Sequence, residues 1–186
     1  MMMQNSQIFM MQNFMNQRNL FIPNIYNTRI QKEFYLCQTD TDLLQIGANF
    51  GLVNENDYSV WRATILGPRN TPYEGGVFTL IITFPQDYPN HGADIKFATK
   101  IFHLNIYSDG NNELMSICVP TLNSWRNSGK VHNKEYTIKQ ALFDIFCILI
   151  QPSLCCSGHH NWNLFHNNLE QYNAEAKKWT ELYAKF

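Results

Sequence analysis

A thiol in an accessible loop becomes a nucleophile once it is deprotonated. A side-chain amide close by can then donate hydrogen bonds to the oxyanion that forms when the thiolate attacks a thioester carbonyl. Cys118 and Asn105 supply such a pair, with His103 beside them, inside one irregular stretch of about residues 99–136. A structureless stretch of that length within a compact domain is uncommon and is usually functional. Spacing alone leaves Cys118 open between this chemistry and the commoner role of a free cysteine as a small core residue. Other reaction classes lack their parts, since the sequence has no Gly-rich phosphate loop, no His-Glu-x-x-His and no Gly-x-Ser-x-Gly. Cys155-Cys156 is an adjacent pair without a second pair, so zinc would need His159 or His160 and a distant ligand. The tetrahedral spacing is missing, and no metal site is expected.

The segments around the loop show two periods. From Asn24 to about Gln38, Ile30, Phe34 and Cys37 follow an i, i+4, i+7 helical spacing, with Arg29, Lys32 and Glu33 on the remaining surface. From Leu44 to Phe97 the period becomes two. An opening strand over Ile46–Val53 is followed by Trp61, Ala63 and Ile65 alternating with Arg62 and Thr64, then Phe78, Leu80, Ile82 and Phe84 alternating with Thr79 and Thr83, then Ile95 and Phe97 alternating with Lys96. Connections this short make the strands antiparallel. Thr137 caps a helix whose Ile138, Leu142, Ile145 and Leu149 face one way, while Phe143, Phe146 and Ile150 make its other side apolar, so it is expected to be central and buried. A break over Pro152–Gly158 leads to a helical turn around Asn161–Asn167 and a last helix over about Asn168–Lys185, with Leu169, Tyr172, Ala176, Trp179 and Tyr183 on one stripe. Helix, strands, active loop and helices in that order give an α+β fold.

The 186 residues suit one domain, and 45% hydrophobic with 14% aromatic residues is too apolar for a disordered chain. The longest apolar run, Ile145–Ile150, falls far short of the ~18 residues of a spanning helix, so no membrane partner is expected. Fourteen Lys+Arg against 15 Asp+Glu, without a basic run, argue against nucleic acid. Residues 1–23 are rich in Met, Asn and Gln, lack the features of a signal peptide and read as a flexible extension before a domain over 24–186. Five cysteines, an odd count in a chain without a secretion signal, are expected as free thiols in a reducing compartment. The cytoplasm, with the nucleus as a second location, is such a compartment.

Several further motifs appear in order. They are Arg29-Ile30-Gln31-Lys32-Glu33, Gly67-Pro68 with Thr71-Pro72-Tyr73-Glu74-Gly75-Gly76, Phe84-Pro85 with Asp87-Tyr88-Pro89, Thr99 to Asn105, Ile117-Cys118, Trp125, and Trp179 to Ala184. Over about residues 25–185 the chain resembles the ubiquitin-conjugating (E2) enzymes. The resemblance implies the UBC fold: an N-terminal helix, a four-stranded antiparallel meander, a long active-site loop and C-terminal helices. It implies that Cys118 accepts ubiquitin as a thioester from an E1 activating enzyme and passes it to an E3 cysteine or a substrate lysine, with an E3 ligase as a further partner. No cofactor is implied, because ATP is used by the E1. Asn105, last of a His-Pro-Asn-like signature, would support the loop and the oxyanion, and His103 would brace the loop. Arg29 and Lys32 match positions that meet E1 and E3, although an ordinary solvated helix face is an equal reading.

The departures from the family pattern bear on mechanism. Leu104 replaces the signature proline, and extra residues, with Asn111–Met115 as the insertion, precede Cys118; the stretch from Trp125 to Thr137 is also long. The aspartate that orients an incoming lysine in many members is missing near Cys155–His160. A thiol acceptor needs no such carboxylate, so transfer to a cysteine-type E3 is expected unless Asp109 or Glu113 supplies the acid. In the E3-facing loops Asn90 stands where many members have phenylalanine, and Arg126-Asn127-Ser128 replaces Ser-Pro-Ala. Losing a buried aromatic anchor weakens an interface, which points to a ligase that is either specialised or absent. An E2 for another ubiquitin-like modifier, or a non-catalytic E2-like binding module, are the alternatives.

Overall fold

The computed structural model describes residues 28–108, 110, 113–127, 135–154 and 161–185. The order is α1 (Thr28–Thr39), α2 (Thr41–Gln45), β1 (Asn49–Asn54), β2 (Asp57–Leu66), β3 (Val77–Thr83), β4 (Asp94–Phe97), β5 (Ile106–Tyr107), β6 (Ser116–Ile117), α3 (Pro120–Asn127), α4 (Ile138–Ile150), α5 (Trp162–Asn167) and α6 (Leu169–Tyr183). Strands β1 to β4 form one antiparallel sheet in chain order, the meander expected of an α+β fold. Trp61 lies opposite Ile82, Ala63 opposite Leu80 and Ile65 opposite Phe78, and the same face continues to Ile95 and Phe97 on β4. Side chains two apart share a sheet face, and all of these are buried.

Helix α4 supplies much of the core's other wall. Ile138, Ala141, Leu142, Ile145 and Leu149 are buried, and Thr137 starts the helix with a complete capping box with Gln140. Its opposite side is less covered than the apolar pattern suggests: Phe143 and Phe146 are half-buried, and Ile150 and Cys147 are exposed. The last helix shows the same limit. Tyr172, Ala176 and Thr180 are buried on α6, whereas Leu169 and Tyr183 at its ends are exposed. Apolar residues at the margin of a stripe need not be covered, because a folded surface retains much apolar area.

The irregular stretch expected over about 99–136 contains β5, β6 and α3. Two-residue strands carry no period, and α3 offers only Leu122 and Trp125 as buried residues. Short α2 is likewise absent from the sequence pattern. Residues 24–27 of the first expected helix, and the extension over 1–23, lie outside the described residues.

Glu33 is a further correction. Expected on the surface, it is only 7% exposed. Its Oε1 accepts from Arg29 Nε at 2.7 Å and from the Tyr88 hydroxyl at 2.7 Å, while its Oε2 accepts the Ile138 N–H at 3.0 Å. A buried carboxylate is tolerable when it is hydrogen-bonded and paired in this way. Glu33 thus ties α1 to the Tyr88 turn and to the first turn of α4, whose leading N–H groups have no partner within the helix. Replacing Glu33 by Gln keeps its volume and removes its charge. We expect a loss of about 2 kcal/mol in urea unfolding, within the range for hydrogen bonds to a charged group, and no comparable loss in Lys32→Gln on the exposed side of the same helix.

Candidate active site

The loop before the cysteine is held at both ends by backbone pairing. Ile106 pairs with Ile117 and Tyr107 with Ser116, and the Cys118 N–H then donates to the Asn105 carbonyl at 2.7 Å. Met115 exchanges backbone hydrogen bonds with Phe97, which joins this ribbon to the edge of the main sheet. Met115 is buried and belongs to the packed structure.

His103, Leu104 and Asn105 are each almost fully buried. His103 Nδ1 accepts the Asn105 N–H at 2.9 Å, which makes Nε2 the protonated nitrogen that donates to the Ile148 carbonyl, also at 2.9 Å. Burial lowers the imidazole pKa to about 4 and keeps the ring neutral. With both nitrogens bound to backbone, the ring holds the loop against the end of α4. Asn105 does similar work: Oδ1 accepts the Ser153 N–H at 2.9 Å and Nδ2 donates to the Ser153 carbonyl at 2.8 Å. Its amide is engaged at both ends with the chain following α4.

Leu104 introduces a buried N–H that a proline would lack. That N–H donates to the Tyr172 hydroxyl at 2.8 Å, which links the loop to α6. Tyr73 donates its own hydroxyl to the Phe102 carbonyl at 3.0 Å beside it. Tyr172→Phe leaves the Leu104 N–H buried without that partner, and we expect a cost of about 1–2 kcal/mol. In Leu104→Pro there is no N–H to orphan, so the added cost of Tyr172→Phe is expected to be smaller in that background. A thermal-denaturation double-mutant cycle measures the difference.

Cys118 itself is half-buried, two residues ahead of α3, and is disulfide-bonded. Cys37, whose thiol burial pushes up to about 12, and the exposed Cys147 are free. The expectation of free thiols throughout is thus corrected at Cys118, because an odd count excludes complete pairing and not a single bridge. On the helix side of the sulfur, Asn123 directs Nδ2 toward Cys118 Sγ at 3.7 Å. Asn123 Oδ1 accepts from Arg126 Nη2 at 2.9 Å, and Arg126 Nη1 donates to Asp94 Oδ1 at 2.7 Å.

Of the remaining candidate positions, Arg126 joins the contacts of the sulfur through Asn123. Lys32 and Asn90 are exposed. Arg29 is half-buried, bonded to Glu33 and to the Tyr136 carbonyl, and is not a plain solvated face. Arg126 is held by its ion pair with Asp94. Gly92 shows why α3 sits so close to the Tyr88 turn: a Cβ there would meet the Trp125 ring at 2.3 Å, and its N–H donates to the Trp125 carbonyl at 2.9 Å. Asp109 and the segment 155–160, including the expected acid position and its histidines, lie outside the described residues, as does Ser128. Glu113 is exposed. Asn123, Asp94 and Tyr172 were not singled out as site residues in the sequence. For Asn123 the available signal was its position five residues after the cysteine, which faces it only once a helix starts at Pro120.

The family model for ubiquitin-conjugating enzymes matches residues 29–180. The chain belongs to the ubiquitin-conjugating enzyme family. Solved structures agree with this E2 assignment. The E2 domain of a Toxoplasma gondii ubiquitin conjugating enzyme is 34% identical, with a TM-score of 0.66, covering 84% of this chain and 97% of that one. A Plasmodium yoelii protein assigned to the ubiquitin conjugating enzymes is 32% identical, with a TM-score of 0.69, covering 85% of this chain and 94% of that one. The meander, the first helix and the C-terminal helices of this E2 are therefore those of the UBC fold. In this E2 the Leu104 N–H bonds the Tyr172 hydroxyl, at the place where the signature proline is absent.

Proposed function

We propose that this E2 carries ubiquitin as a thioester on Cys118. The observation that carries the reading is the placement of Cys118: half-buried, beside the Asn105 carbonyl and at the head of α3. In the transfer, the Cys118 thiolate attacks the acyl carbon of the ubiquitin thioester held by the E1. A bond forms from that carbon to the Cys118 sulfur, the bond to the E1 sulfur breaks, and the departing thiolate takes up a proton. A second exchange hands the acyl group to an E3 cysteine or to a lysine amine. Asn105 keeps the loop in place through Ser153, and His103 braces it through Ile148. Lys32, with Asn90 and Arg126 on the ligase-facing side, forms part of the E1 and E3 contacts. The cytoplasm, or the nucleus, suits this role because its thiol pool keeps the sulfur reduced.

The test is to reduce the protein, remove the reductant, and incubate it with E1, ATP and ubiquitin. A reductant-sensitive adduct of one ubiquitin, absent from Cys118→Ala, is the expected result. An adduct only with another modifier and its own activating enzyme would reassign the modifier. No adduct with any modifier would overturn catalysis and leave a binding module.

A further inference from the structure

Asn105 is the amide that the sequence offers to the reacting centre, but both ends of its side chain are bonded to Ser153. A different amide reaches the sulfur. Pro120 opens α3, and the Asn123 N–H bonds the Val119 carbonyl at 2.9 Å, so Val119 is the residue capping the helix. Cys118 then precedes the cap and Asn123 is the fourth helical residue. Side chains at these two positions meet across the helix start, the geometry used elsewhere by the hydrophobic staple. Here the pair is polar, with Nδ2 of Asn123 3.7 Å from Sγ.

The amide's orientation is fixed by chemistry as well as by distance. Arg126 can only donate hydrogen bonds, so the atom of Asn123 that it contacts must be the oxygen, and the NH2 group must face the sulfur. Arg126 is oriented in turn by Asp94, whose carboxylate also lies 3.9 Å from Lys96 Nζ on β4. Asp94, Arg126, Asn123 and Cys118 thus form one continuous file from the sheet edge to the reacting atom.

We propose that Asn123 is a catalytic residue of this E2: its amide hydrogen-bonds the sulfur of Cys118 during acyl transfer, and Arg126 and Asp94 are positioning residues for that amide. The inference rests on the thioester reading of Cys118. When the Cys118 thiolate forms its bond to the acyl carbon and the donor thiol leaves with the proton, the amide is already beside the nucleophile. Preorganised donors of this kind require no reorganisation at the moment of reaction.

The test uses the full chain, reduced, in two measurements. The first is the rate of iodoacetamide alkylation of Cys118 against pH, followed by peptide mass, with the exposed Cys147 as internal control. An N–H donor favours the thiolate, so Asn123→Ala is expected to move the midpoint up by about 0.5–1 pH unit. Asn123→Asp, nearly isosteric but anionic, is expected to move it further up, and covers the case in which the alanine variant is poorly folded. Arg126→Ala is expected to shift it in the same direction by less, with partial recovery in Arg126→Lys. The second measurement is single-turnover loading from E1, expected to slow about tenfold in Asn123→Ala at unchanged KM for the charged E1. An unmoved alkylation midpoint and an unchanged loading rate in folded Asn123 variants would overturn the proposal. Failure of the wild-type protein to load would instead overturn the thioester reading, whatever the alkylation profiles show.

Discussion

Protein isolated without reductant is expected to form no ubiquitin adduct, and the same sample treated with dithiothreitol and desalted is expected to load. A sulfur committed to a disulfide has no thiolate to offer, so the effect is all or nothing for the oxidised fraction. Cys118 is in that state in the structure, while Cys37 and Cys147 are free. Reduction restores it by thiol exchange: two dithiothreitol sulfurs form their own disulfide, and Cys118 and its partner each gain a hydrogen. Besides these residues the chain has only Cys155 and Cys156, so replacing both with serine removes the remaining candidates for a bridge within the chain. That variant is expected to load equally well with and without pre-reduction. Equal loading of untreated and reduced wild-type protein, with non-reducing peptide mapping finding the bridge intact in the untreated sample and open in the reduced one, would contradict the prediction.

The parts of the fold that were legible in the sequence are those whose pattern repeats. Trp61, Ala63 and Ile65 alternate because one face of β2 meets Ile82, Leu80 and Phe78, and Thr137 with Gln140 announces α4 through a local capping motif. The parts that were not legible depend on distant partners. Glu33 looks like a surface residue on α1 until Tyr88 and Ile138, from two other segments, arrive to bond it. The same holds at the site. Cys118, Asn105 and His103 stand out through residue type and through family resemblance, but the direction of the Asn105 amide is decided by Ser153, 48 positions along the chain. Asn123 gains its place only from a helix of eight residues that leaves too few buried positions for a period to show.

A consequence is that the loop holding the candidate site is attached to the rest of the molecule through polar bonds as well as apolar packing. His103 ties it to Ile148, Asn105 to Ser153 and Leu104 to Tyr172. Two of these attachments reach the end of α4 and the chain just after it, so the loop's position is set by the C-terminal half of the core. Bonds of this kind are each modest while made and costly when one partner is lost.

Acid provides the sharpest test of that arrangement, because only one of the three attachments contains a group that titrates between pH 4 and 6.5. Burial lowers the His103 pKa from its usual 6.5 to about 4, whereas the unfolded chain takes up the proton near 6.5. Between these values the unfolded state binds more protons, so stability rises with pH across the window. The contribution is complete above pH 6.5, falls as pH drops below it, and is exhausted near pH 4. A depression of this size corresponds to about 3 kcal/mol. Asp40 and Asp57, whose carboxyls are held below their usual value of 3.8 chiefly by hydrogen bonds from Lys139 and Ser59, lose their own contributions at lower pH and do not blur the window. Urea unfolding of the reduced protein at pH 7.0, 6.0, 5.0 and 4.2 is expected to show this loss. His103→Gln is expected to be less stable than wild type at pH 7 and to show a much flatter profile, since glutamine does not titrate. Parallel profiles for the two proteins would mean that the buried ring is not the group responsible.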